Sequence, residues 1–180
     1  MMGWKISHGV AIATMLVGLS FGAGAQAQEL EMVEAITDWS VYVDQDPTVC
    51  FIVSQPTKSV ARRNGQDVTV SRSEIRFHIS VIPGQGVAGE PSFLAGYPLK
   101  PATAVKMEIG SAKFEMYPDA AVHAEYAWTA PSDDAGLIAA MRKGSDAVVT
   151  GVSARGTTTI DTFSLRGFTA AVEKAKELCK

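Results

Sequence analysis

The chain has 180 residues, of which 47% are hydrophobic and 19% are charged. This composition is typical of one folded globular domain and excludes a disordered or fibrous chain. With 16 lysines and arginines against 19 aspartates and glutamates, the formal net charge of -3 offers no basic field for a phosphate backbone. We therefore expect no nucleic-acid partner.

Residues 1–27 have the pattern of a secretory signal peptide. Lys5 precedes an almost wholly apolar run over residues 9–23, and Ala25-Gln26-Ala27 supplies the small residues that signal peptidase accepts. A retained membrane anchor is the alternative, but glycines dilute the apolar run, which is shorter than the ~20 residues needed to span a bilayer. We predict cleavage after Ala27 and an exported chain with no transmembrane anchor.

Residues 28–37 are expected to form a flexible lead-in to a single β domain over residues 38–180. In its first predicted strand, Trp39, Val41 and Val43 alternate with other residues, which indicates one buried face. Residues 49–53 are continuously apolar and predict a central strand covered on both faces. The following Asn64-Gly65 pair predicts a type I′ hairpin turn.

The next apolar alternation begins at Ile75 and continues to Val81, and it predicts the most clearly amphipathic strand of the chain. Residues 105–109 and 114–116 alternate on either side of Gly110-Ser111 and predict a hairpin. Residues 121–128 predict a further strand with Val122, Ala124, Tyr126 and Trp128 on one face. Residues 147–153 and 157–165 predict two strands that flank a turn at residues 154–156.

Two helices are predicted after these patterns. Ser132 is expected to cap the first, which carries Asp133 and Asp134 in its first turn and ends before Gly144. Its apolar stripe comprises Leu137, Ile138 and Met141. The closing helix is predicted from about residue 168 to residue 179.

Many short strands with hairpin-length connections and two short helices, one of them C-terminal, predict a mainly β fold. The expected architecture is an antiparallel β-sandwich or a partly closed barrel. The predicted core consists of the apolar members of the alternating segments: Trp39, Val41, Phe51, Ile75, Phe77, Ile79, Val105, Met107, Ile109 and Phe163.

Cys50 and Cys179 are the two cysteines of the chain. In an oxidising compartment such a pair favours a disulfide over a metal or redox site, although two free thiols or an intermolecular bridge are alternatives. Phe168, Val172, Ala175 and Cys179 recur at helical spacing, which places Cys179 on the inward face of the closing helix. We predict an intramolecular Cys50–Cys179 disulfide.

Residues 84–89 match the G-x-G-x-x-G pattern of dinucleotide-binding loops. That pattern requires a helix directly after its last glycine, but Glu90-Pro91 follows here. We interpret the segment as a flexible loop and expect no cofactor.

A Ser153–His123–Asp161 triad can be drawn, but nothing in the spacing selects it, and residues 151–156 do not form a nucleophile elbow. Asp161 is expected to accept hydrogen bonds within the sheet or to pair with Arg155. His78 and His123 belong to no metal-ligand spacing. We therefore expect no catalytic, cofactor-binding or metal-binding residues.

Six aromatic residues are candidates for an exposed contact surface or for the core, and packing in the core is the more frequent role of such residues. They are Trp39, Tyr42, Tyr97, Tyr117, Tyr126 and Trp128.

The C-terminal third carries three characteristic strings, Ser153-Ala154-Arg155-Gly156-Thr157, Asp161-Thr162-Phe163-Ser164-Leu165 and Gly167-Phe168-Thr169-Ala170-Ala171. Together with residues 39–42, Cys50, 54–56, 96–101 and 141–144, they resemble the invasion-associated locus B family of exported bacterial proteins. The resemblance implies a signal peptide, an all-β domain and a cell-envelope or secreted location in Gram-negative bacteria. For some members it implies a part in entry into host cells, and it brings no catalytic residue.

The expected function is therefore that of an exported, non-enzymatic β-sandwich protein. It would bind an unknown protein or envelope partner in the periplasm or at the cell surface, with host-cell interaction or invasion as one role. The alternatives are a periplasmic hydrolase or other small-molecule enzyme, and a structural envelope component. A pocket that holds His123 beside a carboxylate and a serine would favour the enzyme.

Overall fold

The computed structural model describes residues 30–45 and 48–180. The predicted signal peptide, residues 1–27, lies outside the described residues. Within them there are twelve strands: β1 (Glu31–Ile36), β2 (Trp39–Gln45), β3 (Thr48–Ser54), β4 (Lys58–Arg63), β5 (Gln66–Asp67), β6 (Arg76–Ile82), β7 (Val87–Leu94), β8 (Val105–Ile109), β9 (Ala112–Pro118), β10 (Tyr126–Thr129), β11 (Asp146–Val152) and β12 (Thr158–Ser164). The helices of this part are α1 (Pro131–Met141) and α2 (Phe168–Leu178).

The described strands form one antiparallel sheet that curls over itself. Their order is β1-β2-β3-β6-β7-β10-β9-β8-β11-β12-β4-β5, so β6 and β12 are far apart in the sheet. The ring of Phe163 on β12 nevertheless lies 5.8 Å from that of Phe77 on β6 and 6.2 Å from that of Phe93 on β7. The inner face of the sheet therefore encloses the core, and the predicted class is confirmed.

The chain crosses from one part of the sheet to the other between β3 and β4. The amide of Thr57 donates to the carbonyl of Thr162 at 2.8 Å, which leads the chain onto β12. Nearby, the indole of Trp39 on β2 donates to the carbonyl of Ser164 at 3.0 Å. The first bond extends the β4–β12 pairing, and the second joins β2 to the end of β12, two strands that are not neighbours in the described sheet.

Helix α2 covers the inner face of the sheet at β2 and β3. Its apolar stripe, which includes Phe168 and Val172, is buried, and the ring of Phe168 contacts that of Trp39 at 5.0 Å. A disulfide joins Cys50 of β3 to Cys179 at the end of the helix, with 5.9 Å between the two Cα atoms. This is the predicted cross-link, and the periodicity had placed Cys179 on the correct face.

Helix α1 packs against β7 and β9. Leu137, Ile138 and Met141 are buried, as predicted. The predicted cap was wrong, because the helix begins at Pro131 and Ser132 lies inside its first turn. Proline suits the first helical position, where its missing amide costs no hydrogen bond.

Two strands lie where other structure was expected. Residues 31–36 of the predicted lead-in form β1, an edge strand whose side chains are mostly exposed, so it lacks an apolar alternation. Residues 87–89 of the predicted loop belong to β7, which pairs with β6 and β10. Gly89 packs closely against α1, since a Cβ would lie 2.7 Å from Cδ1 of Ile138 and that side chain would have to shift.

The strand predicted over residues 121–128 is confined to Tyr126–Thr129. The preceding residues form turns, because the Asp119 carboxylate accepts from the amides of Ala121 and Val122 at 3.0 and 3.4 Å. Val122 is 70% exposed and shares no strand face with Tyr126.

The predicted core is correct except at two positions. Phe51 is half-buried on the outer face of β3, where its ring stacks on Tyr42 at 5.2 Å. Ile75 precedes β6 and is half-buried against the core. The buried positions of β3 alternate with half-buried ones, so this strand is fully covered on one face and partly covered on the other.

Candidate binding cleft beside a buried ion pair

An open cleft lies where loops from four parts of the chain meet. Its cavity volume is about 510 Å³. We call it the arginine cleft, and it is lined by residues 70–73, 96–98 and 153–155 with Arg63, Glu125, Thr157 and Thr159. Two of the strings that carry the family resemblance, residues 96–101 and 153–157, thus contribute to the same cavity.

The loop between β11 and β12 forms one wall. Gly156 has a φ of +79°, a conformation that glycine adopts without strain, and it lets the chain reverse. The Ser153 amide donates to the Thr157 carbonyl at 2.8 Å, while the Ser153 hydroxyl oxygen accepts from the Thr157 amide at 3.0 Å. The Ala154 amide donates to the Pro98 carbonyl at 2.9 Å. The wall is therefore held on both sides by hydrogen bonds.

A buried ion pair lies beside the cleft, and its arginine, Arg72, lines the cavity. Nη1 and Nη2 of Arg72 donate to the two carboxylate oxygens of Asp161 at 2.7 and 2.8 Å. The side chain of Arg72 is 7% exposed and that of Asp161 is 0% exposed. Arg72 also donates to the Ala95 carbonyl at 2.9 and 2.6 Å, and the Ser59 hydroxyl donates to Asp161 at 2.7 Å. The charge of Arg72 is neutralised, and its hydrogen-bonding capacity is largely used.

Tyr97 extends this network toward the cavity. The Arg72 guanidinium lies over its ring, 5.0 Å from the centroid, and its phenol oxygen lies 2.6 Å from Oγ1 of Thr159. Burial raises the pKa of Tyr97, so the phenol stays neutral. Gly151 makes room for it, because a Cβ there would lie 2.8 Å from the phenol oxygen.

The exposed part of the cleft carries two further arginines. Nε and Nη2 of Arg63 donate to Oγ1 of Thr157 at 3.1 and 2.7 Å, which fixes this guanidinium against the wall. Arg155 is exposed on the turn of the β11–β12 loop. Among the described residues, neither forms an ion pair with a carboxylate. Glu125 is the carboxylate that lines the cavity, and it accepts from the Ser73 hydroxyl at 3.2 Å.

The structure does not assemble the triad that could be drawn from the sequence. Ser153 lines the cleft, but both Asp161 oxygens are bound by Arg72. His123 is not a lining residue, and its Nδ1 accepts from the Glu125 amide at 3.3 Å. The expectation that Asp161 accepts hydrogen bonds within the sheet is confirmed by Ser59 of β4, whereas pairing with Arg155 is wrong, since the partner is Arg72.

His78 lies outside the cleft, on the outer face of β6 between the rings of Phe51 and Tyr126 at 6.3 and 6.0 Å. Its Nδ1 atom is buried and has no hydrogen-bond partner among the described residues. Burial, and secondarily the charge of Arg76, lowers the pKa of His78 to about 4. Within residues 30–45 and 48–180, no three histidine, cysteine or acidic side chains are placed so that they could hold a metal ion.

The six aromatic candidates do not form one surface. Trp39 is in the core and Tyr97 is in the cleft. Tyr126 and Trp128 stack on the outer face at 5.5 Å, near His78. Tyr117, which is 51% exposed, is the candidate that reaches furthest into solvent.

Arg72 was missed by the sequence analysis because a single arginine in a loop has no pattern around it. Its partner did carry a signal. Asp161 shares the inward register of β12 with Phe163, and a carboxylate at an inward position of a strand requires a buried cation or several donors.

Neither helix of the described residues has the length and apolar sequence needed to cross a membrane. Comparison with curated proteins and with solved structures gives no match. The profile of one family, described as "Invasion associated locus B (IalB) protein", matches residues 39–176. This range contains all of the arginine cleft and most of the described sheet. Such a family assignment fits an exported protein, as does the disulfide. The chain therefore belongs to the invasion-associated locus B family.

Proposed function

We propose that the chain is an exported, non-enzymatic binding protein that holds an anionic group of a partner in the arginine cleft. The observation that carries this proposal is the pair Arg63 and Arg155, which line the cavity and form no ion pair among the described residues. The partner belongs to the periplasm or the cell surface, and host-cell contact is the setting that the family description favours.

The charges of the cleft support an anionic ligand. The charges of Arg72 and Asp161 neutralise each other, so the groups that act on a ligand are Arg63, Arg155 and Glu125, the one lining carboxylate among the described residues. The balance in the exposed part of the cavity is therefore positive. A concave site with one predominant sign of charge raises the local concentration of ions of the opposite sign.

Hydrogen bonds within the chain hold part of the cleft in place. Hydrogen bonds fix the β11–β12 loop to residue 98, and two bonds hold Arg63 against Thr157. Side chains that are already in place lose less conformational entropy when a partner binds. A cleft held in this way binds a partner at a lower entropic cost than a surface that becomes ordered only on contact.

The alternative of a hydrolase has less support. An active serine needs a base that removes its proton, but no histidine is among the described residues that line the cavity. The one lining carboxylate, Glu125, is bound by Ser73. A purely structural role in the envelope does not account for an open cleft in which two arginines form no ion pair with any described carboxylate.

The test is capture of a partner from envelope fractions by the immobilised exported protein. The informative variant is Arg63→Gln/Arg155→Gln, in which two exposed cations of the cleft are neutralised. The matched control is Arg62→Gln/Arg166→Gln, which removes the same charge at exposed residues outside the cleft. We expect the parent and the control to retain a partner that the cleft variant loses. Equal capture by all three proteins, or capture by none, would overturn the proposal.

A further inference from the structure

The structure leads to a more specific assignment, which rests on the proposed function of the same cleft. We infer that the anionic group held by the arginine cleft is a phosphoryl group, carried by a lipid headgroup or by a soluble phosphate ester. The inference follows from the number, type and arrangement of the donors that the cavity offers.

The two cations of the cleft suit a group with a double negative charge. Arg63 uses Nε and Nη2 on Thr157, so Nη1 is the nitrogen that has no partner among the described residues. Arg155 stands two positions before Thr157, on the turn of the same loop. Guanidinium groups donate in a planar fork that matches phosphate oxygens, and each forms charge-assisted hydrogen bonds with them.

Neutral hydroxyls add donors around these cations. Ser71 and Ser153 line the cavity, whereas the hydroxyl of Ser73, a third lining residue, already donates to Glu125. The oxygen of Ser153 accepts from the Thr157 amide, which leaves its own hydroxyl proton for a ligand oxygen. A carboxylate has two oxygens and can be satisfied by one guanidinium, whereas a phosphoryl group has three terminal oxygens that need several donors. The donor set therefore favours the phosphoryl group.

Glu125 limits what else can enter. Its carboxylate lies in the same cavity and repels an extended polyanion, while the Ser73 hydroxyl donates to it at 3.2 Å. Arg72 is not a ligand in this arrangement, since Asp161 and the Ala95 carbonyl already occupy its guanidinium.

The experiment is a calorimetric titration of the exported protein with inorganic phosphate, followed by co-sedimentation with two kinds of vesicle. One vesicle contains phosphatidic acid, whose headgroup is a phosphomonoester, and the other contains only zwitterionic phosphatidylcholine. The variants are again Arg63→Gln/Arg155→Gln and the control Arg62→Gln/Arg166→Gln. Thermal unfolding of each variant, with melting temperatures equal to that of the parent, confirms that the exposed substitutions leave the fold intact.

We expect the parent to bind phosphate and the cleft variant to bind it at least about tenfold more weakly, with a change of less than about twofold for the control. Cleft-dependent sedimentation with phosphatidic acid vesicles would assign the group to a lipid, and phosphate binding without sedimentation would assign it to a soluble ester. Absence of phosphate binding by the parent, or equal binding by the cleft variant, would overturn the inference.

The two proposals can fail separately. If the cleft variant loses its envelope partner but the parent binds no phosphate, the cleft recognises another anion and only the phosphoryl assignment is wrong. If phosphate binding depends on Arg63 and Arg155 while partner capture does not, the phosphoryl site stands and the proposed function is wrong.

Discussion

The inner face of the sheet is covered in two different ways. At β2 and β3 it is covered by α2, through buried apolar side chains and the Cys50–Cys179 disulfide. At β12 it is covered by the loop that carries Arg72, through a buried ion pair with Asp161. The first covering is held by apolar burial and a covalent bond, and the second by charges and hydrogen bonds.

The difference indicates what each side contributes. Apolar burial stabilises a fold at about 25 cal/mol per Å² and does not depend on direction. A buried ion pair contributes little net stability, because desolvation opposes the attraction, but its geometry is strict. The ion pair positions Ala95 and Tyr97 at the edge of the cleft. The α2 side therefore supplies stability, and the Arg72 side fixes the geometry of the arginine cleft.

Removal of the disulfide, on the α2 side, is expected to cause the largest loss of stability. The bond closes a loop with a sequence separation of 129 residues. Chain entropy alone gives about 5 kcal/mol of stabilisation for such a loop, as an upper figure. Reduction, or Cys50→Ala/Cys179→Ala, should lower the melting temperature, and hydrogen exchange should show α2 opening first. An unchanged melting temperature, or uniform exchange, would contradict the role assigned to this side.

Breaking the Arg72–Asp161 ion pair should cause the next largest loss in the free energy of unfolding. Arg72→Met leaves the Asp161 carboxylate buried without its cation and should cost about 3–5 kcal/mol in the free energy of unfolding. The double variant Arg72→Met/Asp161→Leu should recover stability to within about 1 kcal/mol of the parent, because no buried charge is left. Denaturant titration measures both.

The same double variant separates stability from cleft geometry. If it is stable but binds phosphate more weakly than the parent, the pair acts by positioning the cleft. If Arg72→Met is as stable as the parent, the Arg72–Asp161 ion pair is not what holds the loop of Arg72 against β12.

Acid should weaken the fold through His78. Because its folded-state pKa is lowered to about 4 from 6.5, the unfolded chain binds the proton more tightly between these values. Stability from this group is therefore complete above pH 6.5 and is lost as the pH falls toward 4, by about 3 kcal/mol. His78→Phe should remove this part of the pH dependence in denaturant titrations at pH 4.5 and 7.

Glu90 and Asp134 respond in the opposite direction to pH. Burial raises the pKa of both carboxyls, so their contribution favours the folded state at lower pH. The parent and His78→Phe share these two groups, and the difference between the two proteins isolates His78. Parallel pH profiles would show that the imidazole does not limit acid stability.

The smallest effect is expected at the exposed ion pair between Arg142 at the end of α1 and Glu173 of α2. A double-mutant cycle with alanine at both positions should give a coupling energy of about 0.5 kcal/mol, because solvent screens the charges. A coupling above about 2 kcal/mol would mean that the two helices are joined by charge as well as by their separate contacts with the sheet.

Elements with a local periodic pattern could be predicted from the sequence. The β8–β9 and β11–β12 hairpins alternate regularly because one face of each packs on the core. The inward stripe of α2 and the disulfide followed from helical spacing. By contrast, β1 and β7 lack such a pattern, since β1 is mostly exposed and β7 contains Gly89 and Pro91.

The cleft could not be predicted as a site, although several of its residues were noted. Arg72 and Asp161 are separated by 89 residues, and Arg63 and Thr157 by 94. Such pairs depend on how the sheet curls, which no local pattern reports. The inward Asp161 indicated that some partner was needed, but the choice of Arg72 over Arg155 required the fold.

The crossing between β3 and β4 has a consequence for the order of folding. β4 follows β3 directly in sequence, yet its partner is β12, with Val60 opposite Ile160. Apart from the two-residue strand β5, β4 therefore has no neighbour in the described sheet until β12 is available, and the long intervening loop must close first. Such non-local pairing is typical of domains that fold in milliseconds to seconds. A chain that has not yet acquired residues 158–164 would carry β4 as an open edge, available for pairing with other chains.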